Sequence, residues 1–154
     1  MKVYFDTSAI VPIYLPEIAS ERARDEAMRA RQMPYTPLHV LEVTSAIHLN
    51  CGRGSITAAE LRAVSQQIED DLVAHRLRTT PLDLADVFVN ATDVARRHAA
   101  TLLCRSLDVL HVAAALQLRC TEFVSADERQ LELARVAGLE TVDLRRRRSR
   151  SRRR

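Results

Sequence analysis

Four acidic residues stand where a folded chain has little structural use for a charge. Asp6 ends the short apolar run Val3-Tyr4-Phe5. Glu42 interrupts a mostly apolar stripe whose i±3, i±4 and i+7 neighbours are Leu38, His39, Ser45, Ala46 and Leu49. Asp108 is the only acid in the segment from Leu107 to Ala115, and Asp127 follows the apolar stretch Phe123-Val124. A buried carboxylate is costly unless it is paired or bound to metal. Singly, each has a plainer reading. Asp6 could cap a helix, Asp108 and Asp127 could favour helix N-termini through the dipole, and Glu42 could pair with an arginine. Together they point to an acidic metal site, and an oxygen-only ligand set suits Mg2+ or Mn2+. Two histidines, His39 and His111, stand three residues from an acid, like a helical His–carboxylate metal pair; the reading adopted for both is support within the core. The remaining acids, Glu69, Asp70, Asp71, Asp83, Asp86 and Glu132 among them, read as solvated helix faces.

The elements that must position these acids alternate. Val3–Phe5 reads as a buried first strand and residues 7–15 as a short helix, with Thr7 and Ser8 as candidate caps. Ile18, Ala19, Ala23, Ala27 and Met28 suggest an amphipathic helix over 17–33. Thr36-Pro37 opens a helix that stops at Gly52 and Gly54. Thr57 and Glu60 form a capping box for a second helix to about residue 76, giving a helical hairpin. A short strand is predicted at 79–82 and helices at 84–104 and from 106. A strand is expected at 121–124 and a capping box from Ser125 to Glu128 opening helix 126–137. Gly138 is a helix stop, and a last strand runs over 139–144. This order predicts a parallel sheet with helices on both faces, in which sites lie beyond the carboxyl ends of the strands.

Composition narrows the class. With 154 residues, 47% of them apolar, the chain suits one domain with one core. It contains no run of about 18 apolar residues, and its start reaches an acid too soon for a signal peptide, so a cytoplasmic protein with no membrane segment is expected. Cys51, Cys104 and Cys120 are three, far apart and without a CxxC, which argues against a disulfide framework and a thiolate zinc site. The net charge of +3 conceals two parts. Residues 145–154 hold eight arginines and no acid, so residues 1–144 keep 15 basic against 20 acidic side chains, a balance of −5. The expectation is a domain over 1–144 and an arginine-rich, unfolded arm over 145–154.

The four acidic segments, taken in order, resemble PIN domains. Asp6-Thr7-Ser8-Ala9-Ile10-Val11 is similar to the opening of that family, and Glu42 within Leu38–Val43 to its second acid. Ser106-Leu107-Asp108-Val109-Leu110-His111-Val112-Ala113-Ala114-Ala115 resembles the third-acid helix of VapC-type toxins. Phe123 through Asp127 and Arg129, on to Gly138-Leu139, is similar to the fourth-acid segment and last helix. The resemblance covers about residues 1–143. It implies an α/β/α sandwich with a central parallel sheet flanked by helices and a Mg2+- or Mn2+-dependent endoribonuclease. It also implies homodimerisation, RNA as substrate and a cognate antitoxin as partner. The site residues it implies are Asp6, Glu42, Asp108 and Asp127, with Thr7 and Ser8 in support; the arginine-rich arm falls outside its pattern. Two other classes compete within the nucleic-acid and phosphate field. A haloacid-dehalogenase-like phosphatase needs an acid at position 8, which is Ser. A non-catalytic nucleic-acid-binding module has no need of four acids at element edges. Within the nuclease class the alternative is an RNA-processing PIN nuclease without an antitoxin.

Overall fold

The computed structural model describes residues 2–146. Five short strands alternate with seven helices: β1 (Val3–Phe5), α1 (Thr7–Tyr14), α2 (Ser20–Ala30), β2 (Met33–Tyr35), α3 (Pro37–Gly52), α4 (Ala58–Val73), β3 (Leu77–Thr79), α5 (Leu84–Leu102), α6 (Ser106–Gln117), β4 (Glu122–Ser125), α7 (Glu128–Val136) and β5 (Glu140–Asp143). All strand pairs are parallel. β4 lies between β1 and β5, with Tyr4 opposite Phe123, and β2 pairs with β3 as a separate two-stranded ladder. β1 packs beside β2, so the two ladders form one central layer without hydrogen bonds joining them.

Side-chain alternation along the strands builds the sandwich. Val3 and Phe5 of β1 and Val124 of β4 turn to one face, where they meet Ile10, Ala23, Val43, Ile47, Val64 and Ile68 from α1 to α4. Tyr4 and Phe123 turn to the other, against Val87, Val94, Val112 and Leu133 from α5, α6 and α7. Each fully buried Val, Leu, Ile or Phe among them contributes roughly 1.5–3 kcal/mol relative to an exposed one. Helices on both faces also explain why β1 is apolar throughout and β4 is apolar on both sides at its centre, Phe123-Val124.

Local signals placed most boundaries. Thr57 and Glu60 cap α4 as expected, Pro37 opens α3, and Gly138 follows α7 with φ +93°, a conformation that only glycine adopts readily. Three expectations need correction. The strand placed at 79–82 runs over Leu77–Thr79, set by its pairing with β2. The predicted capping box from Ser125 to Glu128 does not form, because Ser125 is the last residue of β4 and Asp127 caps α7. The apolar face assigned to residues 17–33 holds at Ala19, Ala23 and Ala27 but not at its ends: Ile18 precedes α2 and is fully exposed, Met28 points outward, and Ala30 continues the packed face. The arm expected at 145–154 lies, beyond Arg146, outside the described residues. Arg145 and Arg146 themselves fold back onto Asp143.

Candidate metal centre at the carboxyl ends of β1 and β4

Asp6 follows β1 directly. Its backbone N–H reaches the Val124 carbonyl at 3.1 Å, which extends the β1–β4 ladder by one bond. Its side chain caps α1 and is only 1% exposed. Oδ1 accepts from the Ala9 N–H at 2.9 Å and from Ser8 Oγ at 2.8 Å, and Oδ2 accepts from Ser125 Oγ at 2.6 Å. Burial pushes the carboxyl up to about 6, against the hydrogen bonds of Ser125, Ser8 and Ala9 and the nearby His111 ring, which all pull it down. A carboxylate this dry, with three donors and no cationic side chain bonded to it, is short of positive charge.

Glu42 comes from the middle of α3 and is partly buried. Its Oε2 accepts from Thr7 Oγ1 at 2.6 Å and is hydrogen-bonded to His111 Nε2. Burial pushes Glu42 up, but the His111 bond and charge and the Thr7 hydroxyl outweigh it and hold the carboxyl below its ordinary value. Oε2 is thereby occupied, and Oε1 is the oxygen left without a partner among the described residues. Behind His111, Nδ1 takes the Tyr4 hydroxyl at 2.8 Å. With that hydroxyl donating, the ring carries its hydrogen on Nε2 and presents it to Glu42. Burial drives the Tyr4 hydroxyl well above its ordinary range, so it keeps the proton this role needs.

The other two acids reach the same edge from their helix starts. Asp127 accepts from the Arg129 and Gln130 N–H groups at 2.8 and 3.2 Å, which is helix capping. Its own N–H donates to Ser125 Oγ at 2.9 Å, so Ser125 ties Asp127 to Asp6. Asp108, three residues into α6, turns Oδ2 back onto the Arg105 N–H at 2.9 Å. The Asp108 carbonyl accepts from Gln130 Nε2 at 3.3 Å, joining α6 to α7. Cys104 lies close enough to both acids that their charges help raise its thiol, after burial; none of the three cysteines is in a disulfide.

Ser125 thus links Asp6 to Asp127; Thr7, the residue after Asp6, links to Glu42 and His111; and Gln130 links the α6 start that carries Asp108 to the α7 start that Asp127 caps. Among the described residues, no three of the His, Cys, Asp and Glu side chains converge tightly enough as they stand to hold one ion. The fit to a hard divalent cation therefore rests on donor chemistry: anionic oxygens, no cationic side chain bonded to Asp6, and one carboxyl whose burial is uncompensated. Thr7 donates to Glu42 and Ser8 to Asp6. Ser125 and Tyr4 are new. Ser125 was assigned to a helix cap and Tyr4 to the core, and no local pattern marks either as a partner of an acid.

His39 is wholly a structural group. Nδ1 accepts from the Thr36 N–H at 3.0 Å, so Nε2 donates to the Phe5 carbonyl at 2.7 Å, just before Asp6. Burial lowers it to about 3, with the His111 ring a second cause, so the ring is neutral.

The PIN domain family matches residues 3–139. Among solved structures, the crystal structure of FitAcB from Neisseria gonorrhoeae aligns with 92% of this chain and 97% of that chain, with a TM-score of 0.65 and 15% sequence identity, a likeness of fold. No curated protein matches the chain.

Proposed function

Because this chain belongs to the PIN-domain family, whose members are usually nucleases, we propose that it is a divalent-metal-dependent endoribonuclease that acts as the toxin of a VapBC-type pair. The observation that carries the reading is Asp6: a fully buried carboxylate at the carboxyl end of β1, raised to about 6, with no cationic side chain bonded to it among the described residues and linked to Asp127 through Ser125. Asp6 and Asp108 would hold Mg2+ or Mn2+ directly, and Glu42 and Asp127 through water or at a second, weaker position. When bound, the ion lowers the pKa of a water and offsets charge developing on phosphate. The chain's residues do the rest. Ser8 and Ser125 fix the Asp6 oxygens, Thr7 and His111 fix Glu42 Oε2, and Glu42 Oε1, without a partner among the described residues, would accept a proton from an attacking water. Tyr4 holds the His111 tautomer that makes this orientation stable.

The toxin assignment draws on the VapC-like segment Ser106–Ala115. An antitoxin is the corresponding partner. A homodimer is the further partner the family resemblance implies, and Leu84 and Phe88, one turn apart and exposed on α5, are apolar side chains it could cover. Among the described residues no helix is long and apolar enough to cross a membrane.

The test uses the purified full chain, end-labelled RNA and either Mn2+ or Mg2+. Metal-dependent internal cleavage is expected, abolished by chelator and strongly reduced in Asp6→Asn, Glu42→Gln and Asp108→Asn. In cells, expression of the wild type should arrest growth and Asp108→Asn should not. Cleavage that persists in chelator, or an Asp108→Asn protein as toxic as wild type, refutes the proposal. RNA cleavage without growth arrest would favour a processing nuclease.

A further inference from the structure

A groove of about 540 Å³ runs beside β5, walled by α2 and α7. Five arginines and five acids line it. The acids are all taken. Arg29 holds Glu26 and Glu122, Arg135 holds Glu132, Arg145 holds Glu128 and Asp143, and Arg146 shares Asp143. Arg22 is left over. Its Nε and Nη1 are buried, and among the described residues neither has a hydrogen-bond partner. A buried guanidinium nitrogen without an acceptor forfeits its hydration with nothing in exchange, so Arg22 lacks an acceptor although the five arginines and five acids of the groove balance in formal charge.

The strand at the floor of the groove is also incomplete. β5 is the outer strand of its ladder. The N–H groups of Glu140 and Leu144 point inward, to the carbonyls of Thr121 and Ser125, both at 3.0 Å. Backbone direction alternates along a strand, so the peptide groups of Thr141 and Asp143 face the open side. The Asp143 carbonyl is used by the Arg146 N–H at 3.4 Å. That leaves the Thr141 N–H and carbonyl and the Asp143 N–H as a short free edge next to Arg22's groove. Free edges in native proteins are usually blunted or covered.

We infer that this groove takes an extended segment of a partner protein that adds a strand to β5 and sets one carboxylate on Arg22. Backbone bonds to Thr141 and Asp143 give the pairing, and the Arg22 guanidinium selects the side chain. A carboxylate supplies the acceptor that the buried Arg22 nitrogens lack. A nucleic-acid backbone is a poor occupant, because it has no peptide groups to pair with the open edge of β5. The chain's own residues 147–154 are poor occupants too, since they carry six arginines and no acidic side chain.

Two capped pentapeptides, acetyl-Thr-Val-Glu-Val-Thr-amide and its Gln counterpart, titrated into the isotope-labelled full chain test this by NMR. The Glu peptide should shift the Thr141 and Asp143 amides together with the Arg22 Nε–H signal. It should bind about tenfold tighter than the Gln peptide, as expected for one charge-assisted contact. Arg22→Met should make the two peptides equal while the spectrum stays folded. Thr141→Pro, which removes an outward N–H from an edge strand and is tolerated there, should abolish binding of both. No shift at β5, or equal affinity of the two peptides for the wild type, overturns the inference. So does acetate alone moving Arg22 as far as the Glu peptide does without moving β5, which would make the groove a small-anion site.

Discussion

Asp6→Asn should stabilise the metal-free protein at neutral pH while destroying its cleavage activity. The magnitude follows from the burial of Asp6. Its carboxyl titrates near 6 in the fold against an ordinary 3.8, a difference of about two units, or roughly 3 kcal/mol at about 1.4 kcal/mol per unit. The sign is that of a raised acid. Below pH 4 both folded and unfolded states keep the proton and nothing is lost. Between pH 4 and 6 the unfolded state ionises while the native state holds its proton, so stability falls as pH rises; above pH 6 both are ionised and the loss is complete. Asparagine stays neutral throughout. It keeps an acceptor for the Ala9 N–H and the Ser8 hydroxyl, and Ser125 Oγ can rotate to accept from its amide. The assay is thermal unfolding in chelator from pH 4 to 8. The variant should match the wild type near pH 4 and exceed it at pH 8 by up to about 3 kcal/mol, on the order of 6–12 °C in Tm for a domain of this size. Adding Mn2+ should raise the wild-type Tm and leave the variant's where it was. A wild type that is as stable as the variant at pH 8, or a difference that does not change with pH, would show that Asp6 is not the desolvated acid described.

Ser125→Ala removes the 2.6 Å donor to Asp6 and the acceptor of the Asp127 N–H. It should cost about 1–3 kcal/mol in urea unfolding and lower metal affinity by about tenfold to a hundredfold, moving the Asp6 titration upward. His39 titrates near 3 in the fold through burial, so its contribution is present above the unfolded value of 6.5 and is lost as pH falls from there toward 3. His39→Gln should remove that acid-side loss, and urea melts at pH 4 and 7 against the wild type measure it. Glu42→Gln should leave the protein folded and RNA-binding but reduce single-turnover cleavage at saturating RNA, because Oε1 no longer accepts a proton; unchanged single-turnover rates would remove Glu42 from the chemistry. Deleting residues 147–154 removes six arginines. It should flatten the dependence of log affinity for single-stranded RNA on log salt by up to roughly four units, with thermal unfolding unchanged; equal slopes for the two chains would leave that arm without a role in binding.

The sequence by itself determined whatever is encoded within a few residues. The β1 run, the Pro37 start, the Thr57–Glu60 box and the Gly138 stop are local, because a helix end needs only neighbouring side chains to satisfy its free peptide groups. The four acids were legible for a related reason: an acid at the end of an apolar run is conspicuous in one dimension. Their capping contacts are just as local, since Asp108 and Asp127 bond to peptide groups within three residues. What the acids share was decided only in three dimensions. Ser125 lies 119 residues from Asp6, Glu42 lies 69 from His111, and Tyr4 lies 107 from His111. Those contacts exist because β1 and β4 pair in parallel with Phe5 beside Val124, which carries Asp6 and Ser125 to the same end of the sheet. The same pairing overruled the local reading of Ser125 as a helix cap and left β5 at an open edge. Strand order and register follow from burying two apolar faces at once, a constraint that belongs to the whole chain and is written in no single segment of it.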